Sequence, residues 1–148
     1  MKSPLLWVCV VAFLAILARA LYLFKFSQNP FFDYYVPGFD QIHFDKGAQE
    51  IAGGNLLGPL HSEKHAVLYK YLLAIIYSIF GRNFWAVWTV QFSIGVITTL
   101  LVFSVARRLF GLTTAAVAGM WCGLYGPNLF FEGQLLREFL ISNFAILS

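Results

Sequence analysis

The sequence predicts an all-α, multi-pass membrane fold whose long outer loop carries two juxtamembrane interfacial helices. Composition is the first observation behind this. Of 148 residues, 59% are hydrophobic and 18% aromatic, only 11% are charged, and mean hydropathy is +0.72. Soluble domains are usually charged at about one position in four. The second observation is the division of the apolar residues into separate runs of membrane-crossing length. The third is segregation of charge. All seven acids, Asp33, Asp40, Asp45, Glu50, Glu63, Glu132 and Glu138, fall in two interruptions of the apolar sequence, while Lys2 and Arg107-Arg108 sit at the opposite ends of the runs. The ten Lys and Arg are scattered as topological anchors, so a pI near 9.0 does not point to nucleic acid. Cys9 and Cys122 stand alone in apolar runs and read as packing residues.

The first run, 4–24, covers roughly 30 Å as a helix, the thickness of the hydrocarbon core. A cleaved signal peptide is the competing reading. Lys2 and Ala18-Arg19-Ala20 suit it, but the apolar run continues through Phe24. Arg19 either snorkels to the outer surface or faces a polar cavity. Residues 25–83 form the outer loop, opened by an aromatic belt of Phe24, Phe26, Phe31, Phe32, Tyr34 and Tyr35. Within it Pro37-Gly38 marks a turn. A helix follows over 40–52, with Phe44, Ala48 and Ile51 on one face and Gly53-Gly54 at its end.

The run 66–80 is short for a span and is interrupted by Lys70. If it crossed, Arg107-Arg108 would lie outside, so the positive-inside rule places it in the interface. The second span is then 84–106, running inward, and the third 113–130, running outward. Tyr125-Gly126-Pro127-Asn128 is a breaker cluster, followed by a second polar outer loop. A fourth apolar run begins at 139 and stops at about half the length a crossing needs, which predicts an N-terminal fragment of a larger transmembrane domain.

Four segments together resemble the GT-C membrane glycosyltransferases, among them protein O-mannosyltransferases and lipid A aminoarabinose transferases. They are Asp40-x-x-x-Phe44-x-x-x-Ala48-x-x-Ile51; Glu63-Lys64-His65-Ala66-Val67-Leu68-Tyr69, where the family has a Glu-Lys-Pro-Pro-Leu-Tyr-like segment; Ala106 to Gly111; and Glu132-Gly133-Gln134-Leu135-Leu136-Arg137-Glu138. His65-Ala66 departs from the family's Pro-Pro. The resemblance implies an inverting transfer of sugar from a polyprenyl-phosphate donor to an acceptor hydroxyl at the outer face of a bacterial inner membrane. The acceptor, whether protein, lipid or glycan, is left open.

The chemistry calls for a base near the acceptor hydroxyl and a cation near the departing phosphate. The resemblance makes Asp40 the base and Glu138 a second acid of the site, with Glu132 as its substitute. Lys64 is the first candidate for the phosphate and Arg137 the next, and Glu63 completes the substrate-binding set. Each has a plainer role: Asp40 as a helix cap, Lys64 as a snorkelling lysine paired with Glu63, Arg137-Glu138 as a loop charge pair. No cofactor is expected. His43, His61, Glu63 and His65 could hold a divalent metal, although their spacing matches no strong ligand pattern. Rival functions are a non-catalytic scaffold or transporter in which the acids bind ions or a partner, and an enzyme of other polyprenyl-phosphate chemistry, such as a ligase.

Overall fold

A computed structural model describes residues 3–32, 40–56 and 67–147, apart from the side chains of 31 and 147. All regular structure among them is helical: α1 (Pro4–Phe26), a 3-10 turn (Pro30–Phe32), α2 (Asp40–Ala52), α3 (Val67–Phe80), α4 (Phe84–Phe110), α5 (Leu112–Leu124), α6 (Gly126–Glu132) and α7 (Glu138–Leu147). The expected Pro37-Gly38 turn and the aromatics Tyr34 and Tyr35 lie outside the described residues.

Two helices, α1 and α4, are long and apolar enough to cross a membrane. Pro4 opens α1, where its missing N–H is one the helix leaves unbonded in any case. The side chain of Asn83 caps α4 by accepting from the backbone N–H of Trp85 at 2.9 Å and of Ala86 at 3.4 Å. At Gly111 a φ of 86° reverses the chain between α4 and α5, a backbone state that glycine adopts without a Cβ penalty.

α1, α4 and α5 form a three-helix bundle. Along α5 the small residues Ala115, Gly119 and Gly123 recur every fourth position and are buried. A Cβ on Gly119 would lie 2.9 Å from Val11 Cγ1, and one on Gly123 would lie 3.1 Å from both Ala15 Cβ and Thr99 Cγ2. Small residues thus allow the close backbone approach on which helix packing in lipid depends. The same contacts set directions: Gly119 meets Val11 and Phe103, and Gly123 meets Ala15 and Thr99, so α1 runs parallel to α5 and both run antiparallel to α4.

The far end of the bundle is built differently. α2 docks on α3 through Phe44, Ala48 and Ile51, the face the periodicity predicts, all buried. Phe32, Trp88, Phe92, Leu135 and Phe139 join them in one aromatic-rich core. α3 packs chiefly on α2, sharing far less with α4 than α5 does. Its outward residues Leu68, Ile75 and Ile79 form an exposed apolar stripe.

The predicted third span, 113–130, is two helices, because Tyr125 takes an extended conformation (φ −68°, ψ 110°) between α5 and α6. Pro127 supplies the physical reason. It has no N–H to donate to the carbonyl of Gly123, so the helical ladder cannot continue through it.

Candidate functional site

The carbonyl that Pro127 releases is taken up by Arg19. This side chain is 4% exposed inside the bundle, where an unpaired cation is expensive. Its Nη1 donates to the carbonyls of Gly123 and Ala15, each at 3.2 Å. Nε donates to Glu132 Oε2 at 2.8 Å and Nη2 to Glu132 Oε1 at 2.7 Å, a bidentate ion pair linking α1 to the end of α6. Glu132 fits only because residue 95 of α4 is glycine: a Cβ there would collide with the carboxylate. Arg19 therefore does not snorkel: its guanidinium is committed to Glu132 and two carbonyls, while the side chain borders a largely apolar groove with Ile16, Leu23 and Phe92. The residue it holds, Glu132, is the one the resemblance offers as a substitute for Glu138 in the site.

From Glu132 the polar contacts lead outward. Gln91, fully buried on α4, donates through Nε2 to the backbone carbonyls of Glu132 at 2.6 Å and Gln134 at 3.2 Å. Its Oε1 accepts from the Tyr69 hydroxyl at 2.7 Å. Gln134 Oε1 in turn accepts from Gln41 Nε2 at 2.7 Å, tying the first turn of α2 to the turn between α6 and α7. Asp40 is the residue before Gln41, the first of α2 and exposed, where its charge suits the positive end of the helix. Three residues after Gln134 stands Arg137, whose Nε lies 3.3 Å from Glu138 Oε1. Glu138 Oε2 is buried and has no hydrogen-bond partner among the described residues. Burial first, then Tyr77 and Glu138, push the Tyr69 hydroxyl well above the usual tyrosine range, so it remains a donor.

The structure thus brings Asp40, Arg137 and Glu138 to one end of the bundle. An open groove of about 580 Å³ runs from that end along Leu68, Tyr69, Arg137, Leu140, Ile141, Phe144 and Ala145. Glu63, Lys64, His61 and His65 lie outside the described residues. Among the described residues no group of three His, Cys, Asp or Glu side chains is placed to hold a metal.

A second acid, Asp45, is 4% exposed. It accepts from the Tyr77 hydroxyl at 2.7 Å, from Gln49 Nε2 at 2.9 Å and from Arg82 Nη2 at 2.9 Å. Arg82 also lies over the Phe84 ring, 4.7 Å from its centre. Asp45 is thereby committed to joining α2 to the α3–α4 turn.

Comparison with protein families matches residues 64–135 to the dolichyl-phosphate-mannose-protein mannosyltransferases. Over that stretch the chain is mannosyltransferase-like. The mannosyltransferase-like segment begins at Lys64, takes in α3, α4, α5 and α6, and includes Tyr69, Gln91 and Glu132. It leaves Asp40, Arg137 and Glu138 on either side of its limits. No curated protein and no solved structure matches the chain.

The sequence reasoning missed Gln91, Asp45 and Arg82. A glutamine inside an apolar helix was a signal for the first, because a polar group in a span needs a partner. Asp45 and Arg82 carried no spacing signal, being brought together across 37 positions of sequence.

Proposed function

We propose that the chain carries part of the active site of an outward-facing membrane glycosyltransferase, which moves a sugar from a polyprenyl-phosphate carrier to an acceptor hydroxyl. The family match supports a GT-C type transferase. The observation that carries the finer reading is the Gln41–Gln134 bond, which draws the start of α2 to the turn bearing Arg137 and Glu138.

In this reading Asp40 accepts the proton of the acceptor hydroxyl as its oxygen attacks the anomeric carbon. The new glycosidic bond forms as the bond from that carbon to the phosphate oxygen breaks, with inversion, and the electron pair leaves on the polyprenyl phosphate. Arg137 and Lys64 supply positive charge where the phosphate gains negative charge, an interaction stronger in the transition state than in the ground state. Glu138 holds Arg137 and faces the acceptor side, and Glu63 completes the substrate-binding set. Glu132 serves from beneath through its grip on Arg19. The groove beside Leu140, Ile141 and Phe144 suits an isoprenoid chain in a way a charged ligand would not. α3 rests in the headgroups, consistent with its docking on α2 and its apolar outer stripe. The site faces the exterior of a bacterial inner membrane.

The test is Asp40→Asn in the full-length protein, with release of polyprenyl phosphate from a short-chain polyprenyl-phosphate mannose as the readout. Loss of a general base lowers turnover by about 10² to 10⁴, and Asp40→Asn is expected to fold and insert as the parent does. A scaffold or transporter would tolerate the change. Sugar transfer from a polyprenyl-pyrophosphate-linked donor, with release of the pyrophosphate carrier and none from the phosphate-linked one, would identify a ligase.

A further inference from the structure

Gln91 is a polar side chain about two turns into an apolar helix, and its side-chain hydrogen bonds all lead out of that helix. It is 0% exposed. Its acceptor holds Tyr69 at the start of α3, and its amide donates to two carbonyls of the α6–α7 connection, those of Glu132 and Gln134. Only an amide can accept from the hydroxyl and donate to both carbonyls at once, because a carboxylate would oppose them and an apolar chain would satisfy none. The segment held in this way is the one whose Gln134 side chain engages Gln41 beside Asp40. Its lower end is already anchored by the Arg19–Glu132 pair.

We infer that Gln91 is a positioning residue for sugar transfer: it fixes the 132–134 backbone so that α2, which begins at Asp40, stays held to the connection that leads into the Arg137–Glu138 pair. This rests on the transferase reading above. Among the described residues Gln91 bonds to neither Asp40 nor Glu138, so its effect passes through the Gln134–Gln41 bond. A displacement of about 1 Å in such a constellation can cost roughly 10² in rate.

Gln91→Met keeps the side-chain volume and removes all three hydrogen bonds, which separates positioning from packing. The full-length protein is placed in lipid vesicles with Cys9 and Cys122 replaced by Ala, and with Q41C and Q134C for reaction with a short bismaleimide. Gln91→Met should lower crosslinking at least several-fold. With native residues at 41 and 134, the same variant should lower kcat for polyprenyl-phosphate release at least about tenfold, leaving KM within about threefold.

Parental crosslinking in Gln91→Met would overturn the inference, as would an unchanged kcat beside a lost crosslink. If the parent protein transfers no sugar, the function proposed above fails, and crosslinking alone still decides whether Gln91 holds the connection. Should Gln91→Met not accumulate, Gln134→Ala cuts the same line one bond further on. It should show the same fall in kcat, and a parental kcat there would refute the role.

Discussion

At the scale of single residues, the Arg19–Glu132 pair decides how much polarity the bundle can hold. Each charge is nearly inaccessible and each is satisfied by the other. Removing one partner strands the second, at a cost of about 3–5 kcal/mol, whereas replacing both with apolar residues of similar volume is often neutral. Thermal denaturation in detergent should therefore rank Arg19→Met and Glu132→Leu singly well below the parent, and the double variant closer to it. Asp45 presents a smaller case. Burial, and after it the bond to Asp45, push the Tyr77 hydroxyl above the ordinary tyrosine range, so it stays a donor to the carboxylate. Tyr77→Phe should cost about 1 kcal/mol by the same measurement, and Asp45→Ala more, since it abandons two further donors. The charges in these contacts were visible in the sequence. Their partners were not, because Arg19 and Glu132 are 113 positions apart and no local spacing relates them.

At the scale of elements, boundaries were legible wherever the backbone chemistry is local. Helix α2 begins and ends where Asp40 and Gly53-Gly54 predict, and α3 ends before Gly81, whose φ of 68° suits glycine. The split between α5 and α6 was half legible: the breaker cluster was evident, but the helix departs at Tyr125, ahead of the expected limit at 130. Packing of α5 depends on the absence of side chains. Gly119→Leu would drive a branched group into Val11 and Phe103, and should lower stability by about 1–3 kcal/mol, read as a lower melting temperature in detergent. Leu at Met120, half-buried on another face of α5, is the matched control.

At the scale of the whole molecule, four of the five acids described stand at the end of α4 opposite the Arg107-Arg108 pair, and the fifth, Glu132, lies against Gly95 part-way along. Asp40, Asp45, Glu50 and Glu138 belong to elements gathered near Phe84, and the arginines close the helix. If this axis crosses the bilayer as proposed, a membrane-impermeant maleimide applied from outside should label Glu50→Cys and spare Arg108→Cys. The reverse pattern would turn the map over. The proposed roles of Asp40, Arg137 and Glu138 rest on resemblance alone, because no local spacing relates α2 to the α6–α7 turn, joined among the described residues by the Gln41–Gln134 bond and a shared apolar core. The order in which these parts are made also matters. If α1 crosses the bilayer as expected, it enters carrying a guanidinium whose counter-ion is synthesised 113 residues later. Until the ribosome has delivered Glu132, Arg19 has only carbonyls and water to turn to, and α1 must sit shallower to reach them. Nascent chains arrested before residue 132 should therefore ride higher in the bilayer than those arrested after it, so that insertion is completed by the arrival of a carboxylate.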